Sequence, residues 1–262
     1  MRVFSSRLHF CFAVEQLIRE SVIACIPSAW DENHITYKII ETLKGKLNPD
    51  FVINSRNNTN VLWHPYKAKG KVETDFGDIA ILVNIIYDDG KTLTGIGFLE
   101  AKRRNVHSKK FIQIKRRQLG RILKNAHYSR LLLYDYKDIT QFADTSIFDR
   151  IPGSLHHSPF VPVTRSAVVP VSIALPKRIT NISLYDFSLP FSYQLCFRYP
   201  NGLDLELSET SIGVVKGAIK KEYDSMEIPI APKYIVAFSV SNGNRYPSLE
   251  YLPINRDLYV SA

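Results

Sequence analysis

Residues 78–87 read Asp-Ile-Ala-Ile-Leu-Val-Asn-Ile-Ile-Tyr, a nearly continuous apolar run. Such a run is the signature of a strand buried on both faces. Asp88-Asp89-Gly90 follows as a strong turn signal, and residues 92–101 return as a second strand ending in Gly97-Phe98-Leu99-Glu100-Ala101. A hairpin covered on both faces needs helices above and below its sheet, so the expected class is a mixed α/β layer.

The flanking segments supply those helices. Residues 10–24 are predicted helical, with Pro27 stopping the segment. Trp30-Asp31-Glu32 opens a second helix running to about Leu47, where Ile35, Ile39, Ile40, Leu43 and Leu47 recur at helical spacing and Asn48-Pro49 ends it. Residues 50–76 are ambiguous: Phe51-Val52-Ile53 suits a strand, whereas Asn54 to Asn60 is polar and turn-like. After the hairpin, a helix is predicted over 111–125 and another buried strand over 130–134. Near residue 149 the texture changes. Pro152-Gly153, His156-His157, Pro159, Pro162 and Pro170 mark a loop-rich passage. Short β-like runs follow at 167–175, 191–199 and 203–207, the last two joined by a Pro200-Asn201-Gly202 hairpin turn. A helix over 211–223 and a strand over 234–240 complete the reading. A chain of 262 residues holds one large domain or two modest ones. The change of composition places a soft boundary at residue 150, between an α/β domain (1–150) and a β-rich module (151–262).

The net charge is +9, and its distribution matters more than its size. Residues 101–134 contain 11 Lys or Arg and no Asp or Glu, so the rest of the chain carries a net −2. A block of this kind is an electrostatic footprint for a polyanion, and equally the solvated face of a helix. No apolar run approaches the ~18–20 residues that span a bilayer. The apolar patch Leu8 to Val14 is interrupted by His9 and followed by Glu15, so no secretory signal is read. Cys11, Cys25 and Cys196 are scattered and odd in number, as expected of buried reduced thiols in a cytoplasmic protein.

The basic block begins directly after Glu100 and Lys102, two residues apart on a strand and therefore on one face. The preceding strand is antiparallel through the turn, which lets Asp78 lie near both. Hydrolysis of a phosphodiester needs a charge clamp on phosphate and an activated water. Two carboxylates can hold Mg²⁺ for this purpose, and a lysine beside them can orient water and stabilise developing negative charge. A salt-bridged turn at a sheet edge would use the same three residues.

An acid opening one strand and a Glu-x-Lys closing the next resemble the PD-(D/E)xK nuclease superfamily, over roughly residues 28–136. The resemblance implies a restriction-endonuclease-like core, a central mixed sheet flanked by helices. It implies that Asp78 and Glu100 are metal ligands and Lys102 the catalytic lysine, with Mg²⁺ as cofactor and Mn²⁺ able to substitute. Many members add an acid from the first core helix. Glu32 falls at the centre of the stripe formed by Ile35, Ile39, Leu43 and Leu47, and Asp31 is the second choice; Glu32 is also what a helix N-terminus favours on electrostatic grounds. On the helix after Lys102, Gln118 and Lys115 lie inside the apolar arc of Phe111, Ile114, Leu119 and Ile122. Members of the superfamily place a glutamine or a base there, so Gln118 is assigned a role with water or phosphate, or none beyond the edge of the arc. Arg103, Arg104, Lys109, Lys110, Lys115, Arg116 and Arg117 are expected as phosphate contacts on DNA.

The sequence departs from the family pattern at Gly77, where proline is common, and Glu73 and Asp75 compete with Asp78 as the strand acid. Gln118 is followed by Leu119-Gly120-Arg121-Ile122 without the tyrosine of RecB-type members. His156-His157 has no partner at metal-ligand spacing, and no Walker loop or GxSxG is present. The expected activity is a metal-dependent DNA endonuclease, with a restriction or anti-phage setting by analogy. Cutting two strands implies a homodimer or a partner subunit. The rival expectation is a non-catalytic nucleic-acid-binding or assembly subunit that keeps the nuclease fold.

Overall fold

The computed structural model describes residues 2–47, 50–53, 59–70, 72, 75–142, 163–216, 231–242, 245–249, 254 and 256–262. In chain order the elements are β1 (Arg2–Phe4), α1 (Arg7–Ala24), α2 (Glu32–Lys46), β2 (Asp50–Ile53), β3 (Thr59–Ala68), β4 (Ile79–Ile86), β5 (Thr92–Arg103), α3 (Arg116–Asn125), β6 (Arg130–Ile139), β7 (Thr164–Pro170), α4 (Val171–Lys177), β8 (Leu189–Pro190), α5 (Glu209–Lys216), β9 (Tyr234–Asn242) and β10 (Tyr259–Ser261). They form one ten-stranded mixed sheet, ordered β1-β2-β3-β9-β4-β5-β6-β7-β8, with β10 pairing β3. The mixed α/β class is as expected.

The central hairpin follows from its sequence. Ile79, Ala80, Ile81, Leu82 and Val83 are all buried, and so are Ile96, Phe98, Leu99 and Ala101 on β5. One face packs on α1 and α2 through Val14, Ile18, Ile35, Ile39 and Leu43. The other packs on Val214 and Val215 of α5 and, over β6 and β7, on Leu119 of α3 and Ala174 of α4. Helix α2 obeys the predicted stripe, and Asp31 caps it by accepting the Asn33 and His34 N–H groups at 3.0 and 3.3 Å. Strand β5 pairs parallel with β6 through the α3 crossover.

The largest departure from expectation is the position of β9. It is threaded between β3, antiparallel, and β4, parallel. The expected boundary at residue 150 therefore falls within the span of one continuous sheet, whose interior strand comes from the second half. Strand β3 was hidden by Pro65, which disfavours a central strand. The structure accommodates it because β2 pairs with β3 only up to Leu62 and β10 only from Tyr66, so no partner needs an N–H at Pro65.

Within 163–216 several β-like runs fold otherwise. Residues 171–177 continue from β7 as α4, and residues 191–201 form successive helical turns. Phe191, Leu195, Cys196 and Tyr199 are buried, a helical spacing that their aromatic content disguised. Gly202, expected in a hairpin, instead ends the last turn with φ +74°. Residues 203–207 contribute a single bridge, Glu206 to Ile96. Helix α3 begins at Arg116 rather than 111, because Phe111 and Ile112 bond the backbone at Thr180 and Arg103 and Gln113 takes a left-handed φ of 58°. The predicted helix over 211–223 is described to Lys216, and His156-His157 lies outside the described residues.

Tyr234, Ile235, Ala237 and Val240 of β9 are almost fully buried. A fragment of residues 1–150 would leave β3 and β4 as unpaired edges with their apolar faces exposed. It is expected to show no cooperative thermal transition by circular dichroism, whereas the full chain melts cooperatively. A cooperative melt of the fragment would contradict this account.

Candidate active site

The β4–β5 ladder pairs Ile79 with Leu99, so Asp78 and Glu100 are the next cross-strand neighbours at the open end of the hairpin. Asp78 Oδ2 accepts the Ala101 N–H at 3.0 Å. Entry into β4 requires Gly77, whose φ is +111° and whose Cβ, if present, would lie 2.7 Å from the Leu99 carbonyl oxygen. That close approach accounts for glycine before the strand acid.

Lys102 and Glu100 lie on the same face, as their spacing requires. The Lys102 ammonium donates to Glu100 Oε1 at 2.5 Å, and both side chains are buried. Gln118 reaches the same oxygen from α3, its Nε2 donating at 2.6 Å. Glu32, half-buried at the start of α2, accepts the Arg103 N–H at 3.1 Å. Asp31 is exposed and occupied as the helix cap, so Glu32 is the helix acid that reaches the strand ends.

Three carboxylates thus surround one ammonium. Burial raises the pKa of Asp78, opposed by Lys102, by the Ala101 N–H and by the charge of Lys233. Burial also lifts Glu100, to about 7; repulsion from Asp78 and Glu32 adds to it, and Lys102 opposes it. Burial raises Glu32, against the pull of Lys102 and the Arg103 N–H. For Lys102, burial pulls the ammonium down, but Glu100, Asp78 and Glu32 outweigh it and its pKa ends above the ordinary value.

These residues line a cleft of about 480 Å³ together with Asn33, Thr36, Gln113, Lys115, Arg117, Gln118 and Arg121. Of the expected phosphate contacts, Lys115 and Arg117 lie on the cleft. Lys109, Lys110 and Arg116 are exposed beyond it, and Arg103 is half-buried. Arg104 is a correction. It is buried, donates to Asp135 at 2.8 Å and lies 4.9 Å over the Tyr136 ring, so its charge is spent inside the fold. Asn33, Gln113 and Arg121 were not foreseen. Arg121 is bound to Asp75 at 3.1 Å, which removes that acid from competition with Asp78.

Among the described residues, no group of three His, Cys, Asp or Glu side chains is gathered closely enough to hold a metal unaided. The donor set nevertheless fits a magnesium-like ion, which keeps several waters and takes one or two carboxylates. Glu100 Oε2 is buried without a hydrogen-bond partner, while Oε1 receives both Lys102 and Gln118. A buried carboxylate oxygen with no donor is costly unless a cation meets it. Asp78 and Glu100 would be the ligands, with Glu32 adjacent. No family model, curated protein or solved structure matches the chain.

The Glu100 pKa has a consequence for stability. Its folded value, about 7, lies above its ordinary value of 4.5, so its contribution is fully present below pH 4.5 and lost as pH rises through 7. Glu100→Gln removes one of the crowded negative charges while keeping an acceptor for Lys102 and Gln118. In metal-free buffer at pH 8 it is expected to stabilise by on the order of 1–3 kcal/mol, a Tm rise of roughly 2–8 °C. The difference should vanish near pH 4.5. A Tm rise independent of pH would contradict the assigned crowding.

Proposed function

We propose that the chain is a Mg²⁺-dependent DNA endonuclease of the PD-(D/E)xK kind, hydrolysing phosphodiester bonds at this cleft. One observation carries the reading: Asp78, Glu100, Lys102, Gln118 and Glu32, drawn from two strands and two helices, line a single cleft with Lys115 and Arg117 beside them. The order of a helix, an antiparallel hairpin, a crossover helix and a parallel strand agrees with that superfamily's core.

Asp78 and Glu100 would hold the ion, with Mn²⁺ able to substitute and Glu32 lining the same cleft. A bound divalent ion supplies a Lewis acid for the phosphate and a lowered pKa for its water. Lys102 supplies the fixed positive charge: its ammonium donates to a phosphate oxygen or to the attacking water and stabilises charge as it develops. Gln118 holds Glu100 in place through its amide and limits its rotation. Lys115 and Arg117, with Lys109, Lys110 and Arg116 outside, grip the backbone without reading sequence. Cleavage of both strands calls for a second active site, from a second copy of the chain or a partner subunit. Cys11, Cys25 and Cys196 are buried and unbridged, which fits a reducing cytoplasm. No helix among the described residues is long and apolar enough to cross a membrane. A restriction or anti-phage setting is the natural context for such an activity.

Plasmid DNA incubated with the full chain should be cut in Mg²⁺ or Mn²⁺ and spared in EDTA. Glu100→Ala and Lys102→Ala should each lower the rate by about 10³-fold or more, in the range of a lost transition-state charge contact. Affinity for DNA, measured in EDTA, should stay within about tenfold. Unchanged cleavage in both variants would overturn the assignment. Tight binding without cleavage in either metal would favour the non-catalytic subunit.

A further inference from the structure

The ends of four adjacent strands lie flush at the mouth of the cleft. Strand β9 pairs Tyr234 with Ile79 of β4 on one side and with Lys67 of β3 on the other. Lys233 immediately precedes β9. Its carbonyl accepts the Ala68 N–H at 3.0 Å, and the next residue's N–H bonds the Asp78 carbonyl at 3.0 Å. The row therefore runs from Glu100 and Lys102 through Asp78 and Lys233 to Lys67.

Both lysines settle on α2. Lys233 Nζ donates to Asn33 Oδ1 at 2.9 Å, and Asn33 lines the cleft. Lys67 Nζ lies 4.9 Å over the Tyr37 ring. Asn33 and Tyr37 are four residues apart, neighbours on one helix face. Among the described residues neither ammonium forms a salt bridge: Lys233 meets the Asn33 amide and lies 5.8 Å over the Tyr234 ring, with the Asp78 charge acting on it from farther off, and Lys67 meets the Tyr37 ring. This sets them apart from Arg104 and Arg130, whose charges are met by Asp135 at 2.8 Å and Asp204 at 2.6 Å. An ammonium held by a neutral group keeps its charge for an outside anion.

We propose that the DNA backbone leaves the cleft across the strand ends of β9 and β3, with Lys233 and Lys67 each on a phosphate. Lys115 and Arg117 line the cleft that this path leaves. Neighbouring strands lie about 4.8 Å apart, so the path from Asp78 to Lys67 covers about 10 Å across the sheet. The proposal rests on the nuclease reading for what occupies the cleft, but its test does not need cleavage.

The test is the salt dependence of affinity for a fluorescein-labelled 30-base-pair duplex, measured with the full chain in EDTA. Loss of two phosphate contacts should lower the slope of log K against log salt by about 1.8. The variant Lys67→Ala/Lys233→Ala should therefore bind roughly 10–60-fold more weakly near 0.1 M salt. Lys67→Arg/Lys233→Arg should restore both values. Lys91→Ala, at the far end of the hairpin beside Asp89, should change neither. Melting curves check folding, and Lys67→Gln/Lys233→Gln gives the same reading should the alanine pair be unstable. An unchanged slope in the folded neutral variants overturns the path, as does a wild-type chain that fails to bind the duplex at 50 mM salt. A lowered slope with no Mg²⁺-dependent cutting by the wild type upholds the path and removes the catalytic reading. Cutting with an unchanged slope does the reverse.

Discussion

The register of the β4–β5 ladder is the constraint on which the rest depends. With Ile79 opposite Leu99, Asp78 and Glu100 meet at the hairpin's end and Lys102 follows on the same face. A slip of one residue would send Glu100 and Lys102 to the other side of the sheet. Residues that do no chemistry prevent it: Ile81, Leu82, Val83, Ile96 and Phe98 are buried on both faces, so any slip exchanges one packed surface for another. The close pass of Gly77 over the Leu99 carbonyl and the Asp78–Ala101 bond fix the same register at the chemical end. The precision of the site is a property of its core.

That core holds an unbalanced set of charges. Elsewhere, among the described residues, buried arginines are matched by acids, while buried Glu15 has only hydroxyl partners and its pKa is lifted to about 7. Arg104 is met by Asp135, which also accepts the Tyr185 hydroxyl at 2.7 Å and the Lys137 N–H at 2.8 Å. Arg130 and Arg198 both pair with Asp204, whose pKa is held down at about 2 because these partners outweigh its burial. At the strand ends three acids crowd around Lys102, with Lys233 acting on Asp78, and the carboxyl pKa values still move up. Matched pairs hold the fold together. An excess of carboxylates costs stability and is retained where a cation completes it. What sets the cleft apart from Glu15 is that three acids share it, which is why a cation is proposed there.

Much of this was legible in the sequence where local pattern and tertiary role coincide. The hairpin was readable because a strand buried on both faces has a continuous apolar signature. Glu32 was readable because helical phase alone puts it on the stripe of Ile35 and Ile39. The pairing of β9 was not, since nothing in Tyr234 to Asn242 records which strands it joins. Residues 191–199 are ambiguous in sequence because aromatic and apolar residues satisfy strand and helix propensities alike, and burial at helical spacing decides between them. Arg104 was lost in a run of cations. A linear charge block does not say which of its members meets Asp135 on the neighbouring β6, and alternation along β5 turns Arg104 inward with Lys102 while the later bases stay outside.

The threading of β9 also changes what residues 163–262 contribute. An appended module could be removed with the site intact, whereas an interior strand cannot. Tyr234 binds the Asp78 backbone directly, and its neighbour Lys233 places a charge that favours the ionised form of Asp78. The strand acid is therefore held from β5 by Ala101 and from β9 by Tyr234, one contact from each half of the chain. Any ligand crossing these strand ends meets groups separated by more than 150 residues in sequence, so its grip depends on the whole sheet having formed. The cleft is complete only with β9 in place: without it β4 lacks one neighbour and the Asp78 carbonyl lacks the Tyr234 N–H.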